Sequence, residues 1–389
     1  MPNHLTLLTG PIVGLRSTWF IQDTIRFARK LGETIVAFDL FDEILRLEGM
    51  EAKDAFDKAS WIGELLDGYD YRFRDLREKA YLSIARQVDA LDADTSVVVR
   101  TPAAIEWRGV VNELKDHRII ADVLRPDRVV TLIDAEWKIQ AHLGTAYGQH
   151  ALTTIAHQQE LDIPHILYWL GREVSRSEDW AEWFRQLTGK PVRHIVLGVE
   201  CPGPHDRGRY IRDVENLAKL IIEPDLPIFY ASYSMTVADE SVRQAVHEAV
   251  WRLRGYGVVI DPASIELGDQ VQAEHRDVVF AYTVCRDLRW DVHKVDIVAA
   301  FHPYPDRPPL STGMMDELGH ARAYRKERYL ILPKGGGSPF TGDNYVPGDH
   351  VFKDVDSFFR HLEQGRNPPL KARFAHYQSH LPTPRGNKG

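Results

Sequence analysis

One pattern constrains this chain more than any other: short apolar runs alternate with longer segments whose apolar residues recur at helical spacing. The runs are Leu5–Thr9, Thr34–Phe38, Val97–Val99, Val129–Ile133, Ile166–Leu170, His194–Val199, Pro227–Thr236, Val258–Asp261, Asp296–Phe301 and Tyr329–Leu332. Helical spacing marks Ser17–Leu31, Phe73–Leu91, residues 135–163, Ser177–Leu187, Tyr210–Ile222, the stretch from Ala238, Val278–Asp291, the stretch ending at Lys326, and Val355–Leu362. After Ala238, for example, Val242, Ala245, Val246, Ala249, Val250 and Leu253 share one face. Strand–helix–strand repetition specifies an α/β fold with parallel sheets.

A chain of 389 residues exceeds what one core normally serves. Thr188-Gly189-Lys190-Pro191 reads as a helix stop and sets the expected boundary. The expected division is therefore residues 1–189, a doubly wound parallel sheet over 190–363, and a polar, loosely ordered tail over 364–389. The net charge of −8 and the lack of any basic run argue against a nucleic-acid surface. Two cysteines, Cys201 and Cys285, give no disulfide framework, which fits a cytoplasmic compartment. Met-Pro-Asn-His leads straight into a strand, so no signal peptide is expected, and no apolar run approaches the roughly 20 residues of a membrane helix.

Two places carry chemistry. In the first domain, the turn after Leu5–Thr9 stands where a phosphate-binding loop would. In that register Gly10 is followed by Leu15 in place of glycine, Arg16 in place of lysine, then Ser17 and Thr18. Leu15 adds a side chain where bare backbone is needed, and Arg16 differs from lysine in shape. The domain is read as keeping a P-loop-like fold with degenerate chemistry. Trp61, Tyr69, Tyr71 and Phe73 are either core or pocket aromatics. Cys201, His205 and Asp206 lack a second cluster at ligand spacing, so no metal site is expected.

In the second domain, ligands belong outside the carboxyl ends of the strands. That rule gathers Ser234 and Thr236 with Ser311, Thr312 and Gly313, hydroxyl- and N–H-rich helix starts suited to an anion. Asp316 and Glu317 follow, expected in the first turn of their helix. With no Ser-His-Asp order and no metal spacing, carboxylate chemistry is the reading. A glutamate attacks an anomeric carbon, and a second acid, from Asp287, Asp291 or Asp296, protonates the leaving base or holds the sugar. A helix-dipole carboxylate without catalytic role is the competing reading of Glu317.

Residues 227–363 resemble the nucleoside 2-deoxyribosyltransferase superfamily, nearest its deoxynucleoside 5′-monophosphate N-glycosidase branch. The resemblance is carried by Tyr230-Ala231-Ser232-Tyr233-Ser234-Met235-Thr236, by Asp287-Leu288-Arg289-Trp290 ahead of Val295-Asp296-Ile297-Val298-Ala299, and by Ser311 through Glu317-Leu318-Gly319. It implies Glu317 as nucleophile, Asp287 in support, Ser311 and Gly313 at a 5′-phosphate, and Ser234 at the first strand end. The Asp287-to-Asp296 spacing is one residue longer than the family pattern, which keeps Asp291 as the alternative. Residues 4–185 resemble archaeal-type adenylate kinase and its P-loop relatives, through the Gly10 turn, Val97-Val98-Val99-Arg100-Thr101-Pro102 and the run Leu124–Ala135.

The expected function is cleavage of an N-glycosidic bond in a nucleoside or nucleotide, as a hydrolase or transferase needing no cofactor. A homodimer or higher homo-oligomer is implied by the resemblance. The alternatives are a P-loop kinase using Mg and ATP through Arg16, and a non-catalytic nucleotide sensor.

Overall fold

The structure, a computed structural model, describes residues 4–11, 15–50, 65, 70–107, 109–143, 162–199, 207–234, 240–264, 273–302, 311–332, 345–372 and 374. The fold is α/β, with two compact units. One comprises Met1–Cys201, Asp213–Pro224 and Leu267–Phe280; the other comprises Pro202–Arg212, Asp225–Glu266 and Ala281–Gly389. Among the described residues, no helix is long and apolar enough to cross a membrane.

The first unit holds β1 (His4–Thr9), α1 (Leu15–Lys30), β2 (Ile35–Asp39), α2 (Leu40–Leu47), α3 (Asp70–Asp89), β3 (Ser96–Arg100), β4 (Ala104–Trp107), β5 (Val110–Glu113), α4 (His117–Val123), β6 (Arg128–Ile133), α5 (Glu136–Leu143), α6 (Ile163–Thr188) and β7 (Arg193–Gly198). Its described parallel sheet runs β2-β3-β1-β6-β7, while β4 and β5 pair as a separate hairpin. The core strands β1, β3 and β6 are buried along nearly their whole length, as a covered parallel sheet requires, and one face packs against helices in an apolar cluster. Of the four aromatics, Phe73 is buried and stacks on Phe41, whereas Tyr71 is 83% exposed; Trp61 and Tyr69 lie outside the described residues.

Three expectations need correction. Ile166–Leu170 is not a strand but lies inside α6. Asp162 caps that helix by accepting the His165 N–H at 2.8 Å, and a proline stands in its first turn. A five-residue apolar run fits a buried helix face as well as a strand, and the cap decides. Second, β7 does not open the second domain. It pairs in register with β6, Val130 opposite Ile195. Gly189 does end α6, in left-handed conformation at φ 68°, yet the stop marks a helix end rather than a domain boundary. A parallel strand after a crossover helix returns to the same sheet. Third, the described part of the tail, residues 364–372 and 374, is packed: Arg366 Nε donates to Glu327 Oε1 at 3.0 Å, and Phe374 is buried; the rest of the expected tail lies outside the described residues.

Helix α7 (Arg207–Ile222) is divided between the units. The second unit continues with β8 (Ile228–Tyr233), α8 (Glu240–Leu253), β9 (Val258–Ile260), α9 (Arg276–Cys285), a π-helical turn at Arg286–Val292, β10 (Ile297–Phe301), α10 (Thr312–Ala323), β11 (Glu327–Ile331), β12 (Val351–Phe352) and α11 (Val355–Arg360). The described sheet is parallel, in the order β12-β11-β10-β8-β9. The chain leaves β8 toward β9 on one side and returns to β10 on the other. Their carboxyl ends therefore flank the switch point where doubly wound sheets bind ligands.

Gly257 lets β9 reach β8. A Cβ there would stand 2.2 Å from Pro227 O and 2.9 Å from the Phe229 ring. Gly257→Ala is expected to destabilise the protein by about 3 kcal/mol through overpacking. A shift of the urea midpoint to lower concentration checks it; an unchanged midpoint contradicts it.

Candidate active site

Side chains alternate along a strand, so Tyr230 and Ser232 share one face of β8. Helix α10 lies on that face. It docks through Met314, Leu318 and Ala321, all buried, and burial of each of the two larger side chains contributes about 1.5–3 kcal/mol. Glu317 precedes Leu318 by one residue and turns toward β8. Its Oε1 accepts a hydrogen bond from Tyr230 Oη at 2.8 Å, and its Oε2 accepts one from Ser232 Oγ. Tyr230 and Ser232 are themselves buried.

Ser311 is the N-cap of α10, its Oγ accepting the Met314 N–H at 3.3 Å. Glu317 therefore sits in the second turn, not the first, and the first turn carries no acid. The helix dipole acts within the first turn, so it does not account for an acid at this position. Thr312 and Gly313 are exposed at the helix start, and among the described residues no atom outside the helix's own backbone and the chain neighbours lies within 4 Å of where a Gly313 Cβ would stand. Their backbone N–H groups belong to the helix-start set without an intrahelical acceptor.

The π-turn brings the other acids. Its i→i+5 bonding, seen in His293 N donating to Leu288 O at 3.1 Å, takes up one residue more per turn than an α-helix. That extra residue matches the long Asp287-to-Asp296 spacing. Asp287 Oδ1 accepts from Arg286 Nε at 2.9 Å and Nη2 at 2.8 Å. Asp291 is buried.

The groups sense each other's charge. Burial lifts the Glu317 pKa to about 7, against the lowering effect of the Ser232 and Tyr230 hydroxyls and with the help of Asp287 and Asp316. Burial also raises Asp287, with Arg286 opposing. Asp291 is pushed well above the usual carboxylate range by burial, opposed by Arg286 and reinforced by Asp287 and Glu317. The Tyr230 phenol is driven up by burial and then by Glu317, Asp287 and Asp291, so it stays a donor. Two consequences follow for Glu317. In the nucleophile role expected from the sequence Glu317 must be ionised, so kcat/KM is expected to rise with pH through about 7. The folded state holds the Glu317 proton more tightly than the unfolded chain. This contribution to stability is complete below the unfolded pKa of 4.5 and is lost as pH rises toward about 7. A pH–rate profile flat between pH 5 and 8 contradicts the first point.

The remaining candidates scatter. Ser234 Oγ is enclosed and has no partner among the described residues. Thr236 lies outside the described residues. Asp296 is not at the site. Its Oδ2 accepts the Ile228 N–H at 2.9 Å at the amino ends of β8 and β10, the sheet edge away from the crevice. Tyr230 and Ser232 were quoted in a motif but given no role. Their period-2 relation to Ser234 was the available signal. Arg286 was also missed; only its adjacency to Asp287 hinted at it.

In the first unit, Arg16, Ser17 and Thr18 form the start of α1, and their side chains lie outside the described set. Gly10 stands at φ 146° with Leu132 O 2.7 Å from a would-be Cβ, so packing against β6 requires the glycine. Its N–H donates to Glu173 Oε1 at 2.8 Å, not to a ligand. Glu173 also accepts from the Ala103 N–H at 2.9 Å and from the Ala104 N–H. A small cleft, with a volume of about 40 Å³, opens at the carboxyl ends of β1, β2 and β3, lined by Gly10, Asp39, Arg100 and Thr101 among others. Arg100 Nη1 donates to Asp39 Oδ2 there at 3.0 Å. No group of three or more His, Cys, Asp or Glu able to hold a metal occurs among the described residues, and residues 201–206 lie outside them. No protein-family model matches the chain, and no curated protein matches it.

Proposed function

We propose that the second unit cleaves the N-glycosidic bond of a nucleoside or nucleotide, with Glu317 as nucleophile. The observation that carries this is the Glu317 carboxylate held by two hydroxyl donors on β8 beside two further acids from the π-turn. An ordinary surface glutamate has no use for such an arrangement. In this reading the ionised Glu317 attacks the anomeric carbon, and the glycosidic bond breaks toward the base. Tyr230 and Ser232 orient the carboxylate. Asp287, held in place by Arg286, faces the sugar hydroxyls. The α10 start at Ser311, Thr312 and Gly313 offers N–H donors for a 5′-phosphate. The glycosyl-enzyme then passes to water or to a second base. An oligomer remains part of the proposal on the resemblance alone.

Purified protein incubated with deoxynucleosides, nucleotides and NAD, then resolved by chromatography, is expected to release free base. No release from any of them overturns the reading. A second reading, a nucleotide sensor in the first unit, is favoured by the Arg100-lined cleft. ATP with Mg raising the melting temperature of wild type but not of Arg100→Ala supports it. Phosphate transfer lost in Arg16→Ala supports the kinase alternative instead.

A further inference from the structure

Two histidine rings meet where the end of the chain folds back on the second unit. His350 closes the turn before β12, and His361 opens a second π-helical turn, His361–Gly365, directly after α11. Their ring centres lie 5.6 Å apart. Tyr329 and Phe352 complete the cage around His361, with ring centres at 5.4 Å and 5.1 Å from it. His350 Nδ1 meets Arg328 O at 3.1 Å. A carbonyl only accepts, so that nitrogen carries a hydrogen. His361 Nε2 is enclosed and has no partner among the described residues. A neutral imidazole tolerates this by turning its lone pair to that side. An imidazolium does not, because both of its nitrogens carry hydrogens and a buried N–H without an acceptor costs free energy.

The charged and titratable groups around His361 are His350 and Asp349 in the turn before β12, Glu327 and Tyr329 on β11, and Arg366 after the π-turn. Burial holds the His361 pKa below the ordinary histidine value, with His350 and Arg366 adding to the effect and Glu327 and Asp349 opposing it. Glu327 is already matched, since it accepts Arg366 Nε and Nη2, each at 3.0 Å, and the Tyr329 hydroxyl. The same π-turn anchors the end of the chain. The Arg366 N–H donates to His361 O at 2.8 Å, the Leu370 N–H to Leu362 O at 2.8 Å, and the Phe374 N–H to Gly255 O at 3.2 Å. Leu370 and Ala372 pack on the apolar cluster that includes Phe229, Phe301, Phe358 and Phe359.

We propose that residues 366–372 and Phe374 form a pH-sensitive strap, closed while His361 is neutral and released when His361 takes up a proton. Release lets the imidazolium reach water and uncovers the apolar cluster beneath Leu370 and Ala372. Above the ordinary histidine value of 6.5, His361 is neutral whether the strap is closed or open, and closure carries no penalty. Below 6.5 the open form binds the proton more tightly, so closure weakens as pH falls. One pH unit below that value, a single histidine weakens closure by at most about 10-fold. The strap is independent of the chemistry proposed at Glu317.

Amide hydrogen exchange on the full chain, corrected for intrinsic rates, tests this at pH 7.5 and 5.5. In wild type the protection of the Leu370 and Phe374 amides is expected to fall by up to about 10-fold at the lower pH, while the β10 amides keep theirs. His361→Phe fills the same ring site without a titratable nitrogen, and is expected to hold the strap equally at both pH values. A fall that persists in His361→Phe, no fall in wild type, or a fall shared equally by β10 overturns the proposal. If His361→Phe does not fold, His361→Gln takes its place. Wild type gives a further readout that needs no variant. In protein labelled with ¹⁵N at histidine rings, His361 is expected to be more than half neutral at pH 6.5. A ring half-protonated at or above pH 6.5 overturns the proposal.

Discussion

Glu317→Gln is expected to abolish base release, by about 10⁴-fold or more, the scale on which enzymes lose rate when a covalent nucleophile is removed. Glutamine keeps the shape of the side chain and an oxygen for Tyr230 or Ser232, so the fold should survive. Of the two acceptors that Tyr230 Oη and Ser232 Oγ now use, one becomes an amide NH₂, and one donor loses its partner. That costs about 1–3 kcal/mol for a buried group. The same substitution removes a carboxyl buried with a raised pKa, which works in the opposite direction at neutral pH. Melting temperature should therefore move little while turnover disappears. Single-turnover chromatography and thermal unfolding on the same preparations separate the two. Retained turnover sinks Glu317 as nucleophile; lost turnover with a collapsed melting temperature assigns it a structural role.

The second large effect lies in the first unit. Glu173 is fully buried and accepts N–H groups from Gly10, Ala103 and Ala104. It ties α6 to the turn after β1 and to the segment after β3. Glu173→Leu leaves three buried donors without acceptors. At about 1–3 kcal/mol for each, the loss should be at least about 3 kcal/mol, a large share of the stability of an ordinary domain. Glu173→Gln keeps one oxygen and should lose less. The pH dependence is a second handle. Burial raises the Glu173 pKa to about 7 although the three N–H groups favour the charge. The folded state thus keeps a proton that the unfolded chain releases above about 4.5. The wild type is expected to lose stability as pH rises from about 4.5 to 7, and this component should be missing from Glu173→Leu. Urea unfolding at pH 5 and pH 8 measures both; equal midpoints for wild type and Glu173→Leu sink the clasp role.

Much of the fold was legible because a covered parallel sheet writes itself as apolar runs between amphipathic helices. The strands ending at Thr9, Phe301 and Ile331 were visible for this reason, as were the helices at Asp70–Asp89 and Glu240–Leu253. The run at Ile166 was not, since apolarity alone does not separate a strand from the buried face of α6. The membership of β7 was not legible either, because Gly189 and Pro191 report a local chain reversal and carry no information about which sheet receives the next strand.

The sequence by itself determined the α/β class, the loop-and-helix context of Glu317 and the hydroxyl-rich helix start before it. These are local properties of residue type and spacing. Tertiary structure alone decided what meets Glu317. Tyr230 and Ser232 lie 87 and 85 residues away, and only the pairing of β8 beside β10, with α10 folded over them, brings their hydroxyls to the carboxylate. It likewise sent Asp296 to the far edge of the sheet as a backbone acceptor, and used one extra residue in a π-turn to set Asp291 beside Asp287. Hydrogen bonds, burial and charge coupling arise between segments distant in sequence, and the chemistry of this site consists of those three things.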